Sequence, residues 1–135
     1  MFTTKIALII RDDLAVWQKL NVAAFLSSGI AAADPALCGE LYRDGAERPY
    51  CRMFGQPVLV FSAGRQQLQN SHRIAIERGL TIAPYIEAMF ATGHDAANRA
   101  VFAAAAVEDL DLVGLALLGV RKDVDRAVRG LPLHT

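Results

Sequence analysis

Ile6-Ala7-Leu8-Ile9-Ile10 is an unbroken apolar run between Lys5 and Arg11. A run of this length without polar alternation predicts a central strand buried on both faces. The period then changes. Trp17, Leu20, Ala24 and Ser28 recur at helical spacing, and Val16, Ala23 and Phe25 widen the expected buried side. This predicts a helix over residues 17–28, with Gly29 as its stop. Residues 31–37 predict a further short helical piece bounded at Pro35. Two short polar-apolar segments then flank Asp44-Gly45, a pair that favours a hairpin turn, so residues 41–53 are expected to form an inserted β-hairpin.

Beyond the hairpin the two periods alternate. Residues 57–61, 80–86 and 112–118 predict strands, and residues 66–78, 95–106 and 123–129 predict helices. Leu68 and Ile74 favour the buried side of the first of these helices, and Gly79 ends it. Pro84 argues for an edge strand or an irregularity, because proline cannot donate to a ladder. Gly114 points to a close backbone approach in the last strand. Strands alternating with helices over 135 residues predict one α/β sandwich domain, residues 1–135.

Composition narrows the function classes. Apolar residues make up 53% of the chain, which excludes a disordered protein. Fourteen basic and fourteen acidic residues balance, so broad nucleic-acid binding through a basic surface is not expected. No apolar run is long enough to span a bilayer, and a strand-like run begins at Lys5, so the expected location is the cytoplasm with no membrane partner. Cys38 and Cys51 make neither a disulfide framework nor a four-ligand zinc pattern; both are expected to be buried thiols. There is no HExxH pattern and no standard glycine-rich phosphate loop. His94, Glu87 and His72 are therefore not read as a metal site, and no cofactor is expected.

Polar clusters just past strand ends carry the candidate chemistry, because ligands of α/β folds bind in that crevice. Arg11-Asp12-Asp13 follows the first strand, Lys19 and Asn21 lie in the next helix, and Glu87 precedes Thr92-Gly93-His94-Asp95 and Asn98. Lys19 is a candidate to stabilise a carbonyl or phosphate oxygen, or a surface lysine lying over Trp17 and Leu20. Asp13 would orient Lys19 or a water, and His94 would shuttle a proton. Asp12 or Asp13 is equally suited to capping the helix, as are Thr92 and Asp95 further on. Arg11, Trp17, Asn21, Glu87, Thr92, Asp95 and Asn98 are the candidate ligand-binding residues. Trp17 suits a stacking role or core anchoring.

Two sets of strings resemble known families. Residues 5–14 (KIALIIRDDL), Gln56-Pro57-Val58-Leu59-Val60, Glu77-Arg78-Gly79-Leu80 and Val124-Asp125-Arg126 resemble the peptidyl-tRNA hydrolase type 2 superfamily. Val16-Trp17-Gln18-Lys19-Leu20-Asn21 and residues 90–98 (FATGHDAAN) are similar to a bacterial family of that fold without assigned function, DUF2000. The first resemblance implies a three-layer sandwich around a four-stranded mixed sheet, and cleavage of the ester between peptide and tRNA. Two departures stand at that family's motifs: with Lys19 aligned, Ala23 takes the glutamine position, and Met89 takes a glycine position. The leading expectation is a binder of a small, anionic molecule, or a small enzyme. Peptidyl-tRNA hydrolysis, with tRNA as partner, is one alternative. A structural or regulatory homo-oligomer, such as a homodimer with Tyr42, Tyr50 and Phe54 covered by a second copy, is the other.

Overall fold

In the computed structural model, which describes residues 2–135, Ile6–Ile10 lie at the centre of the molecule. They belong to strand β1 (Thr4–Arg11). Alternate side chains enter two separate cores: Ile6, Leu8 and Ile10 on one face, Ala7 and Ile9 on the other. This is what an unbroken apolar strand requires, since both faces must be covered. Strand β2 (Val58–Ala63) pairs with β1 in parallel, and β4 (Leu112–Val120) pairs with it antiparallel. Strand β3 (Thr81–Ile86) pairs only with β4, giving the order β2-β1-β4-β3 in a mixed, open sheet. Pro84 thus sits in an edge strand, as its missing donor demands.

Helix α1 (Val16–Ala33) covers one face, and α2 (Arg65–Glu77) and α4 (Arg121–Ala127) cover the other. Helix α3 (Asp95–Ala104) follows a 3-10 turn at Glu87–Ala91 that leaves the end of β3. Because β1, β2 and β3 run the same way, their C-terminal ends share one edge of the fold with the start of β4.

The buried side of α1 differs from the expected one. Val22, Leu26 and Ile30 are 0%, 1% and 0% exposed, whereas Trp17 and Leu20 are 64% and 66% exposed. Helix α1 is apolar nearly all round, so spacing alone did not choose a face. The sheet takes the stripe whose side chains fill the groove over Gly114. A Cβ there would lie 2.5 Å from Val22 Cγ1 and 3.1 Å from Leu26 Cδ1, so only glycine admits the helix. Gly29 does not stop α1 either. It lies where a Cβ would come 3.0 Å from that of Ala83, so its value is close packing on β3 rather than chain termination.

Residues 38–56 fold back through isolated antiparallel bridges, Cys38 with Phe54 and Arg43 with Pro49, rather than through two regular strands. The turn is wider than a two-residue one: the Asp44 carboxylate accepts from the Ala46 and Arg48 amides, and Glu47 takes the positive φ of 65°. Cys51 is exposed and Cys38 half-buried, contrary to the expectation of buried thiols, because this segment projects from the cores. The C-terminal residues return along β2: the Ser62 amide donates to Pro132 O and the His134 amide to Val60 O, which covers that sheet edge.

Candidate functional site

A cavity of about 290 Å³ opens between α1, the end of β3 and the turn into α3. Its α1 wall comes from Trp17, Asn21 and Phe25, each four residues apart and so on one helical face. That face is distinct from the Val22–Leu26–Ile30 stripe that grips the sheet. Period-2 alternation in β3 places Tyr85 with Ala83 on the α1 side and Ile82 with Ile86 on the other. A register shift between Tyr85 and Ile86, where β4 carries the extra residue Val113, adjoins the cavity.

Aromatic rings line one side in a continuous series. Trp17 meets Phe90 edge-on at 6.1 Å, Phe90 tilts against Tyr85 at 5.2 Å, and Tyr85 meets Phe25 edge-on at 5.7 Å. The polar groups are few. Asn21 Nδ2 donates to Tyr85 Oη at 3.2 Å. Burial pushes the Tyr85 phenol up, against the opposing effect of the Asn21 bond, so the hydroxyl keeps its proton. Its oxygen is used by Asn21, and its hydrogen is left for another acceptor.

The α3 wall is shaped by its cap. His94, rather than Thr92 or Asp95, is the N-cap: its Nδ1 accepts from the Ala97 amide at 3.2 Å. In the neutral ring that bond puts the proton on Nε2, making Nε2 a donor. The Thr92 hydroxyl sits between Met89 O, at 2.9 Å, and the Asn98 side chain, which holds the loop against the helix. Asp95 pairs with Arg99 one turn on.

Six candidate residues therefore share this cavity: Trp17, Asn21, Thr92, His94, Asp95 and Asn98. The others have different surroundings. Arg11 lies at the end of β1 among three carboxylates: Asp13 at 2.6 Å, Asp111 at 3.1 Å and Glu87 at 3.2 Å. Burial would pull its pKa down. The Asp13 hydrogen bond and charge, with the charges of Asp111 and Glu87, outweigh this and raise it. Arg11 is thus already neutralised. Asp13 serves Arg11 and not the α1 cap, where Gln18 Oε1 accepts from the Ala15 amide at 3.0 Å. Lys19 Nζ lies 3.1 Å from His134 Nε2, on the C-terminal segment. With Nε2 accepting, the His134 proton sits on Nδ1 and donates to Thr135 O at 2.9 Å. Neither Lys19 nor any other lysine or arginine lines the cavity.

Tyr85, Phe90 and Met89 were missed from sequence, and Phe25 was expected on the buried side of its helix rather than in the cavity wall. The signal for Tyr85 was the alternation in β3, and for its partner the lone amide Asn21 in an apolar helix. No cluster of three or more His, Cys, Asp or Glu side chains suited to a metal occurs among the described residues. No helix among them is long and apolar enough to cross a membrane.

Comparison with known proteins adds kinship without chemistry. The DUF2000 family model, described as a protein of unknown function, matches residues 4–135. The solved structure of the protein of unknown function Atu0240 from Agrobacterium tumefaciens str. C58 is 51% identical, is covered over 100% of both chains, and superposes with a TM-score of 0.97. No curated protein matches the sequence.

Proposed function

The chain belongs to the DUF2000 family of proteins of unknown function, and we propose that it binds a small, planar, uncharged molecule in the cavity beneath α1. One observation carries this reading. The Tyr85 hydroxyl accepts from Asn21 and retains a proton without a protein acceptor among the described residues, inside an aromatic wall. Apolar walls with a few placed polar groups are the chemistry of small-molecule sites. The ligand is read as planar because the Trp17, Phe90 and Tyr85 rings offer faces and edges for stacking. It carries an acceptor such as a carbonyl, because Tyr85 Oη and His94 Nε2 both offer protons. An anion is disfavoured at this place, since Arg11 and Lys19 are engaged elsewhere.

The three-layer arrangement around a mixed sheet supports the peptidyl-tRNA hydrolase type 2-like classification, with residues 38–56 as a hairpin-like addition. Cleavage of peptidyl-tRNA has less support. Lys19, Asp13 and His94 have three separate sets of partners: His134, Arg11 and the Ala97 amide.

Self-association is a second reading, favoured by the exposure of Leu41, Tyr42, Tyr50 and Met53 on the projecting segment. Sedimentation of wild type against Tyr42→Ser/Met53→Ser tests it; a wild-type monomer removes it.

Trp17 is the sole tryptophan and lines the cavity, so its emission reports occupancy directly. A panel of uncharged planar heteroaromatic amides, nicotinamide among them, should quench Trp17 saturably in wild type and weakly in Tyr85→Phe. Absence of saturable quenching across the panel, or equal binding by Tyr85→Phe, would overturn the reading.

A further inference from the structure

On the opposite face of the sheet, a second cavity of about 410 Å³ lies between α2 and the end of α4. We propose that it binds a phosphate-bearing small molecule. Gln67, Asn70 and Arg73 stand at helical spacing along α2, and Arg126 and Arg129 face them from α4 and the turn after it. Three guanidinium groups therefore line one cleft that no carboxylate side chain lines. In a chain whose charges balance at fourteen against fourteen, that is a local concentration of charge and not a general excess.

Hydrogen bonds already made along the cleft define the ligand class. Arg73 gives Nη1 to Glu77 at 3.0 Å and keeps its other nitrogens. Neither Arg126 nor Arg129 has an ion-pair partner among the described residues, as is also true of Arg43, Arg48, Arg52 and Arg121, but only these two unpaired arginines line a common cleft with a third, Arg73. Gln67 Oε1 already accepts from the Gly64 amide at 2.8 Å, and Asn70 Oδ1 from Gln66 Nε2 at 3.4 Å. Each amide oxygen thus already accepts one bond, while both NH2 groups have no acceptor among the described residues. The wall is rich in donors and poor in acceptors, so its complement is a ligand made of acceptors.

A phosphate monoester fits this wall better than a carboxylate. Its three terminal oxygens take more donors than two can, and guanidinium forks pair with them bidentately. The cleft is also larger than an ion needs, and Ile74 and Leu131 give it an apolar side. That favours an organic phosphate over the free ion. The frame is held in place: buried Ser71 Oγ donates to Ala127 O at 2.7 Å, tying α2 to α4 behind the arginines. A single cleft without a basic stripe fits a small molecule rather than a nucleic-acid backbone.

Calorimetric titration with ribose 5-phosphate, ribose, inorganic phosphate and a single-stranded RNA oligonucleotide tests this site. The expected result is saturable binding of ribose 5-phosphate, stronger than that of phosphate and absent for ribose. Arg126→Gln and Arg129→Gln should each weaken it about tenfold, while Lys122→Gln, outside the cleft, leaves it unchanged. Circular dichroism of the variants, whose side chains are exposed, separates lost binding from lost fold. Equal binding by Arg126→Gln/Arg129→Gln, phosphate binding no weaker than ribose 5-phosphate, or binding of RNA alone would each overturn the proposal. The Trp17 titration reads the other cavity, so either site can fail without the other.

Discussion

Asn21 on α1 donates to the Tyr85 hydroxyl on β3 across 3.2 Å, and this bond joins a helix to an edge strand inside an aromatic cavity. Tyr85→Phe removes the acceptor and leaves a half-buried amide to find water. The expected loss is about 0.5–1.5 kcal/mol in urea unfolding. Asn21→Leu, which removes the other partner, should cost Tyr85→Phe most of its further effect. A double-mutant cycle in urea checks the coupling.

Gly114→Ala should destabilise the protein by about 1–3 kcal/mol, because the new methyl meets Val22 Cγ1 at 2.5 Å. Val22→Ala on the same background should recover part of that loss by giving the methyl room. Denaturation midpoints of the two single variants and the double variant decide it. Additive losses would mean that Val22 is not the obstacle.

Arg11→Met leaves Asp13, Glu87 and Asp111 facing one another without their shared cation. The loss is expected at roughly 1.5–3 kcal/mol in low salt. Raising the salt should narrow the gap to wild type by screening the carboxylates, which are partly open to water. Thermal unfolding at two ionic strengths measures both effects.

His72 lies buried in α2, and burial pushes its imidazole below the ordinary value. The unfolded chain therefore binds this proton first as pH falls below about 6.5. Stability from His72 is complete above that pH and is lost on acidification towards the folded-state value. Urea midpoints at a pH of about 7.5 and of about 5.5 should differ more in wild type than in His72→Gln. A change of equal size in both proteins would assign the loss to other groups.

Much of the frame follows from local chemistry. A five-residue apolar run pointed to a strand covered on both sides, Pro84 to an edge or an irregularity, and Gly114 to a close neighbour; the strand is central, Pro84 lies in an edge strand, and Gly114 meets Val22. Period and steric demand act over a few residues, so they are readable along the chain. The same is true of six of the cavity residues, which cluster in two short stretches.

Tertiary structure decided what sequence spacing left equal. Helix α1 offers apolar residues on nearly every side, and only the groove over Gly114 selects Val22, Leu26 and Ile30, freeing Trp17 for the cavity. In sequence Arg11 has only Asp12 and Asp13 beside it, and it pairs with Asp13. Folding brings up Glu87 and Asp111, 76 and 100 residues away, to neutralise it. Lys19 likewise reads as a crevice lysine until the C-terminal segment along β2 brings His134 to it. Charge partners and helix faces are set by which elements pack together, and Coulomb and packing terms depend on separations in space.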